Sequence, residues 1–215
     1  LSRSATNMKS SLVRSILSVV LIVSATLATA APQSSILVFG DSLSAGYGLP
    51  QDTGWVTLLQ QRIREKKFNY DVVNASISGE TSAGGRARLA SALKQHKPTI
   101  LILQLGGNDG LRGLPVAEFR ANMDAMIKMA IATKSKVLLI GIRLPTNYGK
   151  SYREKFRIAF ESLARSNAIA LTASLLESIE TKRELFQPDG IHPAMEAQSL
   201  LLDTVWRRLA PLLRN

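Results

Sequence analysis

The sequence predicts an α/β domain built on a parallel sheet covered by helices on both faces. Three observations predict it. Segments of strand character alternate along the chain with segments of helical spacing, as strand-helix-strand units require. The apolar runs at Ile36, Thr99 and Lys136 are nearly continuous rather than alternating, as strands buried on both faces should be. The chain has 215 residues, enough for one such domain with a sizeable core and short for two.

The elements follow in order. Residues 8–30 precede the domain: a basic start (Lys9, Arg14), an apolar segment from Ile16 to Leu27, then Ala28-Thr29-Ala30 before Ala31-Pro32. That order predicts a secretory signal peptide cleaved at or near Ala31, with an uncleaved anchor as the alternative. Its apolar part falls well short of the roughly 20 residues of a membrane span, so no stable membrane insertion is expected after cleavage. Residues 31–215 are then the single mature domain, periplasmic or secreted.

Within it, Ile36-Leu37-Val38-Phe39 breaks into Gly40-Asp41-Ser42-Leu43-Ser44-Ala45-Gly46, a buried strand ending in a sharp turn. Gly54 to Lys67 has helical spacing and a basic end suited to a helix C-terminus. Asp71 to Ala75 is a short strand running into the polar loop Ser76-Ile77-Ser78-Gly79-Glu80-Thr81, and Ser82 to His96 is a helix. Thr99 to Leu105 is the most strand-like run and ends in Gly106-Gly107-Asn108-Asp109-Gly110. Pro115 to Thr133 is a helix with proline in its first turn, Lys136 to Ile142 a strand, Ser151 to Asn167 a helix and Ala168 to Thr172 a strand. A last helix runs from about Ala194 to Leu213. Right-handed crossovers place the residues following the first three strands along one edge of the sheet, where ligands of open α/β sheets bind.

Composition narrows the chemistry. There is no cysteine, which excludes a disulfide framework, a thiolate nucleophile and a lipid-modified cysteine. The net charge is +11; Arg3, Lys9 and Arg14 precede Ala31 without acids, leaving +8 on the mature part. That balance suits anionic surroundings, but the basic residues are spread from Arg62 to Arg214, which also describes a solvated basic surface. No nucleic-acid motif is present.

Three polar breaks after three strands, at Asp41-Ser42, Ser78-Gly79 and Gly107-Asn108-Asp109, each offer something acyl transfer needs. A serine hydroxyl requires a base. Of the two histidines, His96 ends a helix beside Lys97-Pro98, where a cap or a solvated side chain is the natural reading. His192 lies in the turn-rich Phe186-Gln187-Pro188-Asp189-Gly190-Ile191-His192-Pro193, where Asp189 could bend back to one imidazole nitrogen and leave the other for Ser42. Gly79 and Asn108 fit an oxyanion site, which needs backbone N–H groups or side-chain amides. Taken singly, Asp41 and Ser42 also read as a turn or helix cap, Gly79 as a turn and Asn108 as an Asx turn.

Together, Gly40-Asp41-Ser42-Leu43, Gly79, Gly106-Gly107-Asn108-Asp109 and Asp189-Gly190-Ile191-His192-Pro193 resemble, in order and spacing, the SGNH (GDSL) hydrolases. Gly40 to Tyr47, Leu105 to Gly113 and Arg143-Leu144-Pro145-Thr146-Asn147-Tyr148-Gly149 are similar to the bacterial branch described as acyl-CoA thioesterase I, lysophospholipase L1 or arylesterase. The resemblance implies a flavodoxin-like, three-layer fold with five parallel strands, no metal, no cofactor and an acyl-serine intermediate. It makes Ser42 the nucleophile, His192 the base and then acid, and Asp189 the group that orients His192. The backbone N–H groups of Ser42 and Gly79 and the side-chain amide of Asn108 become the oxyanion donors, and Asp41, Asn74 and Asp109 brace their loops.

The implied substrate is a small acyl ester or thioester, lysophospholipids included, and the implied state is a monomer. Gly110, Leu111 and Leu114 have the composition of a loop that moves over a bound acyl chain, and Leu144, Pro145 and Tyr148 could supply the opposite wall; alternatively Leu111 and Leu114 are ordinary core contacts. Two other classes share these motifs. A carbohydrate O-acetylesterase would prefer acetyl groups, and a non-catalytic binding module on the same fold would have no esterase activity.

Overall fold

A computed structural model describes residues 34–213; the expected signal segment 8–30 and the cleavage site at Ala31 lie outside the described residues. Five strands form one parallel sheet in the order β2-β1-β3-β4-β5, with β1 Ser34–Gly40, β2 Tyr70–Asn74, β3 Ile100–Gln104, β4 Lys136–Ile140 and β5 Ala170–Thr172. The helices are α1 Ser42–Ala45, α2 Trp55–Glu65, α3 Ser82–His96, α4 Gly107–Leu111, α5 Val116–Ala132, α6 Lys150–Ser166 and α7 Gln198–Leu209.

The continuous apolar runs divide between two cores. Successive strand residues point to opposite faces. Ile36, Val38, Ile100, Ile102, Leu138 and Ile140 pack on Trp55, Leu59 and Ile63 of α2 and Leu201 and Val205 of α7. Leu37, Phe39, Leu101, Leu103, Val137 and Leu139 pack on Leu89 of α3, on Phe119, Met123 and Ile127 of α5 and on Phe156 and Phe160 of α6. Every residue of β3 is buried, so an alternating pattern had no solvent face to serve.

Boundaries shift where local chemistry decides them. Pro115 stands just outside α5, as its cap, rather than in the first turn. Strand β4 ends at Ile140; the Gly141 N–H still donates to the Thr172 carbonyl at 2.8 Å, and a Cβ on Gly141 would lie 2.4 Å from the Ala173 carbonyl oxygen just beyond β5. The last helical stretch is three pieces: a 3₁₀ turn at Met195–Ala197, α7, and a 3₁₀ turn at Ala210–Leu212, where Pro211 brings no N–H to continue an α ladder.

Beyond β2 the chain keeps pairing with β1. The Ala75 N–H donates to the Val38 carbonyl at 2.8 Å and the Ile77 N–H to the Gly40 carbonyl at 3.0 Å. This lays the loop carrying Gly79 alongside the turn carrying Ser42.

Candidate active site

Ser42 owes its position to close packing at the end of β1. A Cβ on Gly40 would lie 2.7 Å from Gln104 Oε1, so only glycine lets β1 end this close to β3. Asp41 then caps the one-turn helix α1, its Oδ1 accepting from the Leu43 N–H at 3.1 Å, and Ser42 is the first helical residue. Gln104, at the end of β3, donates from Nε2 to Asp41 Oδ1 at 3.0 Å and accepts from Ser44 Oγ at 2.6 Å. Burial pushes the Asp41 carboxyl up to about 6, against the opposing hydrogen bonds from Gln104 and Leu43.

His192 reaches the serine from a tight loop. The Gln187 N–H donates to the His192 carbonyl at 2.7 Å and the Gly190 N–H to the Gln187 carbonyl at 2.9 Å, with Gly190 at φ +67°. Buried Gln198 ties this loop to α2, accepting from the Trp55 N–H at 3.0 Å and donating to the Ala194 carbonyl at 3.1 Å. His192 Nε2 lies 2.9 Å from Ser42 Oγ and Nδ1 lies 2.6 Å from Asp189 Oδ2. Asp189 Oδ1 accepts from the N–H groups of Ile191 and His192 at 2.9 and 3.0 Å. Loss of water around Asp189 by itself raises its pKa, but the hydrogen bonds from His192 and Ile191 outweigh it and hold the carboxyl at about 2. Asp189 is therefore a carboxylate at any pH where the imidazole is neutral.

The two remaining breaks converge on the same edge. Ile77 to Glu80 is a turn closed by the Glu80 N–H on the Ile77 carbonyl at 3.1 Å, with Gly79 at φ +81° in its third position, where a side chain would be strained. Among the described residues the Gly79 N–H meets no acceptor. Asn108 lies in α4, and its amide donates to the Glu80 carbonyl at 3.0 Å, which uses one of its two hydrogens. A Cβ on Gly107 would lie 3.1 Å from Asp41 Oδ2, so α4 packs directly on the serine turn.

Asp109, 2% exposed, accepts from the Ser82 N–H at 2.8 Å and the Ser82 hydroxyl at 2.5 Å, fixing α4 to α3. Asn74 donates to the Ser44 carbonyl at 2.8 Å and accepts from the Ser76 N–H at 3.1 Å. His96 ends α3 at the opposite edge of the sheet, where its carbonyl accepts from Ser35.

The expected acyl-binding residues divide. Gly110 and Leu144 offer no surface to a ligand in this arrangement: both are buried, and a Cβ on Gly110 would lie 2.2 Å from Leu144 Cδ2. Leu144 belongs to the core with Phe119 and Phe156 because the chain turns inward after β4. Leu111 and Leu114 are half-buried, Tyr148 likewise, and Pro145 is exposed. The loop whose composition suggested mobility is fastened: Tyr148 Oη donates to the Leu111 carbonyl and Tyr152 Oη to the Leu114 carbonyl, both at 2.8 Å, and Arg112 Nη2 donates to the Gly79 carbonyl at 3.2 Å.

Residue-by-residue reading missed several contributors. Gln104 had a legible signal, a glutamine closing an otherwise apolar strand, because a polar group buried there must have partners. The Tyr47 ring lies 4.6 Å from the His192 ring, centroid to centroid, and Gln187 Nε2 donates to the Tyr47 carbonyl at 2.8 Å. Tyr47, Ile77, Ile191 and Met195 are exposed apolar side chains; Tyr47 lies against His192, Ile77 bonds through its N–H to Gly40, and Ile191 and Met195 flank His192 in sequence. Two concavities lie along β5, around Ile169 and Leu171, and hold none of these residues.

Comparison with known proteins agrees with this geometry. A sequence profile of the GDSL-like lipase/acylhydrolase family matches residues 38–200. The chain is 48% identical over 183 residues to "Esterase TesA" of Pseudomonas aeruginosa, covering 85% of this chain and 91% of that one. It is 39% identical over 186 residues to "Thioesterase 1/protease 1/lysophospholipase L1" of Escherichia coli strain K12, covering 86% and 88%. Among solved structures, the crystal structure of TesA superposes with a TM-score of 0.82 at 48% identity, over 84% of this chain and all of that one. With the five-stranded parallel sheet, the profile match and these identities together, the chain belongs to the GDSL-like lipase/acylhydrolase family.

Proposed function

We propose that the chain hydrolyses carboxylic esters and thioesters through an acyl-serine intermediate on Ser42. The observation that carries this is the unbroken run Asp189–His192–Ser42, at 2.6 and 2.9 Å. Neutral His192 takes the serine proton as Oγ attacks the acyl carbonyl, and Asp189 stabilises the imidazolium. The N–H groups of Ser42 and Gly79 and the Asn108 amide hold the oxygen that becomes negative. His192 then gives the proton to the departing alcohol or thiol, and a water deprotonated by the same imidazole releases the acid. The donors act on the carbonyl oxygen and not on the leaving group, so oxygen esters, thioesters and lysophospholipids share one chemistry. The names of the relatives, an esterase and a thioesterase/lysophospholipase, support that breadth.

The acyl chain is read as medium to long, because exposed apolar side chains stand at Tyr47 against His192, at Ile77 beside Gly40, and at Ile191 and Met195 on either side of His192 in sequence. Export to the periplasm through residues 8–30, and action as a monomer, belong to the same proposal. The test is labelling with a p-nitrophenyl alkylphosphonate. It should modify Ser42 alone and abolish turnover of p-nitrophenyl butyrate, and Ser42→Ala should be inactive. Full activity in Ser42→Ala would end the proposal.

A further inference from the structure

One cation near the site has no part in the chemistry above. Arg88 lies on α3, yet its guanidinium reaches both ends of the loop that carries Gly79. Nη1 donates to the Ala75 carbonyl at 2.8 Å, and Nε donates to Glu80 Oε2 at 2.6 Å. The guanidinium carbon sits 3.8 Å from the Phe39 ring centroid. Phe39 is the core residue directly before Gly40-Asp41-Ser42. The fork thus spans the serine strand and the oxyanion loop.

Glu80 is committed at every polar group. Its N–H closes the Gly79 turn, its carbonyl accepts from Asn108, and its carboxylate takes Arg88. That carboxylate sits over the first turn of α3, where a Cβ on Gly84 would lie 2.0 Å from Oε1. The pair is well shielded, with side chains 25% and 12% exposed, and Arg88 Nη2 is buried with no partner. A guanidinium nitrogen left unpaired in a buried place is a cost that plain surface solvation would avoid. The Gly79 turn itself is exposed, and nothing lies within 4 Å of the position a Cβ would take there. Arg112 holds the turn at the Gly79 carbonyl, and the bonds to Ala75, Ile77 and Glu80 hold it at its ends.

We infer that Arg88, through Ala75 and Glu80, is a positioning residue that sets the Gly79 N–H against Ser42, so that removing the fork weakens transition-state binding more than substrate binding. This rests on the acyl-serine reading above. A donor displaced by about an ångström loses up to about a hundredfold in rate, whereas a ground-state carbonyl tolerates the change.

The experiment compares wild type, Arg88→Lys, Arg88→Gln and, as a control on the same helix, the exposed Arg86→Gln. Active sites are counted by phosphonate labelling, so misfolded material drops out of kcat. Arg88→Lys keeps the charge but has no planar fork to bridge both acceptors. The expected result is kcat lower by about ten- to a hundredfold in both Arg88 variants, with KM within about twofold. The Ki of phenylboronic acid, which binds serine as a tetrahedral anion, should rise in proportion to the fall in kcat, and Arg86→Gln should match wild type. Unchanged kcat per labelled serine and unchanged boronate Ki in the Arg88 variants would overturn the inference, whatever the melting temperature does. Failure of the phosphonate to label Ser42 in active wild type would instead overturn the acyl-serine reading.

Discussion

Gln104, at the end of β3, holds Asp41 just beyond the end of β1, its amide 3.0 Å from a carboxyl that burial raises from 3.8 to about 6. The folded protein therefore keeps a proton there that the unfolded chain has lost between about pH 4 and pH 6. This contribution is complete below pH 4, declines as pH rises through 6 and amounts to about 3 kcal/mol. Asp189, held at about 2, works in the opposite sense, adding stability above pH 4 that is lost as pH falls toward 2. Urea unfolding of wild type and Asp41→Asn from pH 3 to pH 8 should show a decline between pH 4 and 6.5 that only wild type has. Parallel curves would mean that Asp41 titrates as an ordinary surface acid.

Asn108 joins the Gly79 loop to α4 through the Glu80 carbonyl, and on the proposed mechanism its second amide hydrogen serves the oxyanion. Asn108→Ala should lower kcat by about a hundred- to a thousandfold while labelled protein still binds substrate. Asn108→Asp keeps the size but turns a donor into an anion beside a developing anion, and should be at least as damaging. Steady-state kinetics on p-nitrophenyl butyrate decide between this and a merely architectural asparagine, which would leave kcat intact.

Chain-length preference tests the apolar surround. Each buried methylene contributes at most about 0.8 kcal/mol, so kcat/KM should rise roughly tenfold for every two methylenes until the surface is covered. The series runs from p-nitrophenyl acetate to palmitate below the micelle limit. A maximum at acetyl would transfer the chain to the O-acetylesterase reading. Ile77→Ser and Met195→Ser should flatten the rise while leaving acetyl hydrolysis unchanged.

Tyr148→Phe releases the Leu111 carbonyl from its 2.8 Å hydrogen bond. If that fastening preorganises the loop, KM for long acyl esters should increase several-fold, with acetate little affected. Equal effects on both substrates would place the bond in general stability instead, which a melting curve would register.

The mass of protein recovered from the periplasm should correspond to a chain beginning at or near Ala31. A mass that retains Ile16 to Leu27 would support the anchored alternative.

The serine turn, His192 with Asp189, and the glycine-flanked Asn108 were legible because each departs abruptly from the apolar run or helical pattern beside it. The strands were legible for a related reason: Ile100 to Leu103 has no polar side to show when both faces are covered. Arg88 was not legible. On α3 it stands between Arg86 and Lys94, both solvated-looking charges, and only the fold reveals that its helix faces the Gly79 loop. Leu144 misled for the converse reason, since a leucine next to a loop proline reads equally well as wall or core until Gly110 is seen packed on it.

Ser42 and His192 stand 150 positions apart, and the bond by which Gln198 secures the histidine loop to Trp55 spans 143. On the proposed mechanism, hydrolysis requires that the turn after the first strand and the loop before the last helix have already found one another. A ribosome-bound or clipped chain that stops before α7 carries His192 without the Gln198 bonds that secure its loop to Trp55. Such a chain is expected to stay slow toward acyl groups until it is whole, and regain of turnover after denaturation should clock the final long-range closure rather than the initial collapse.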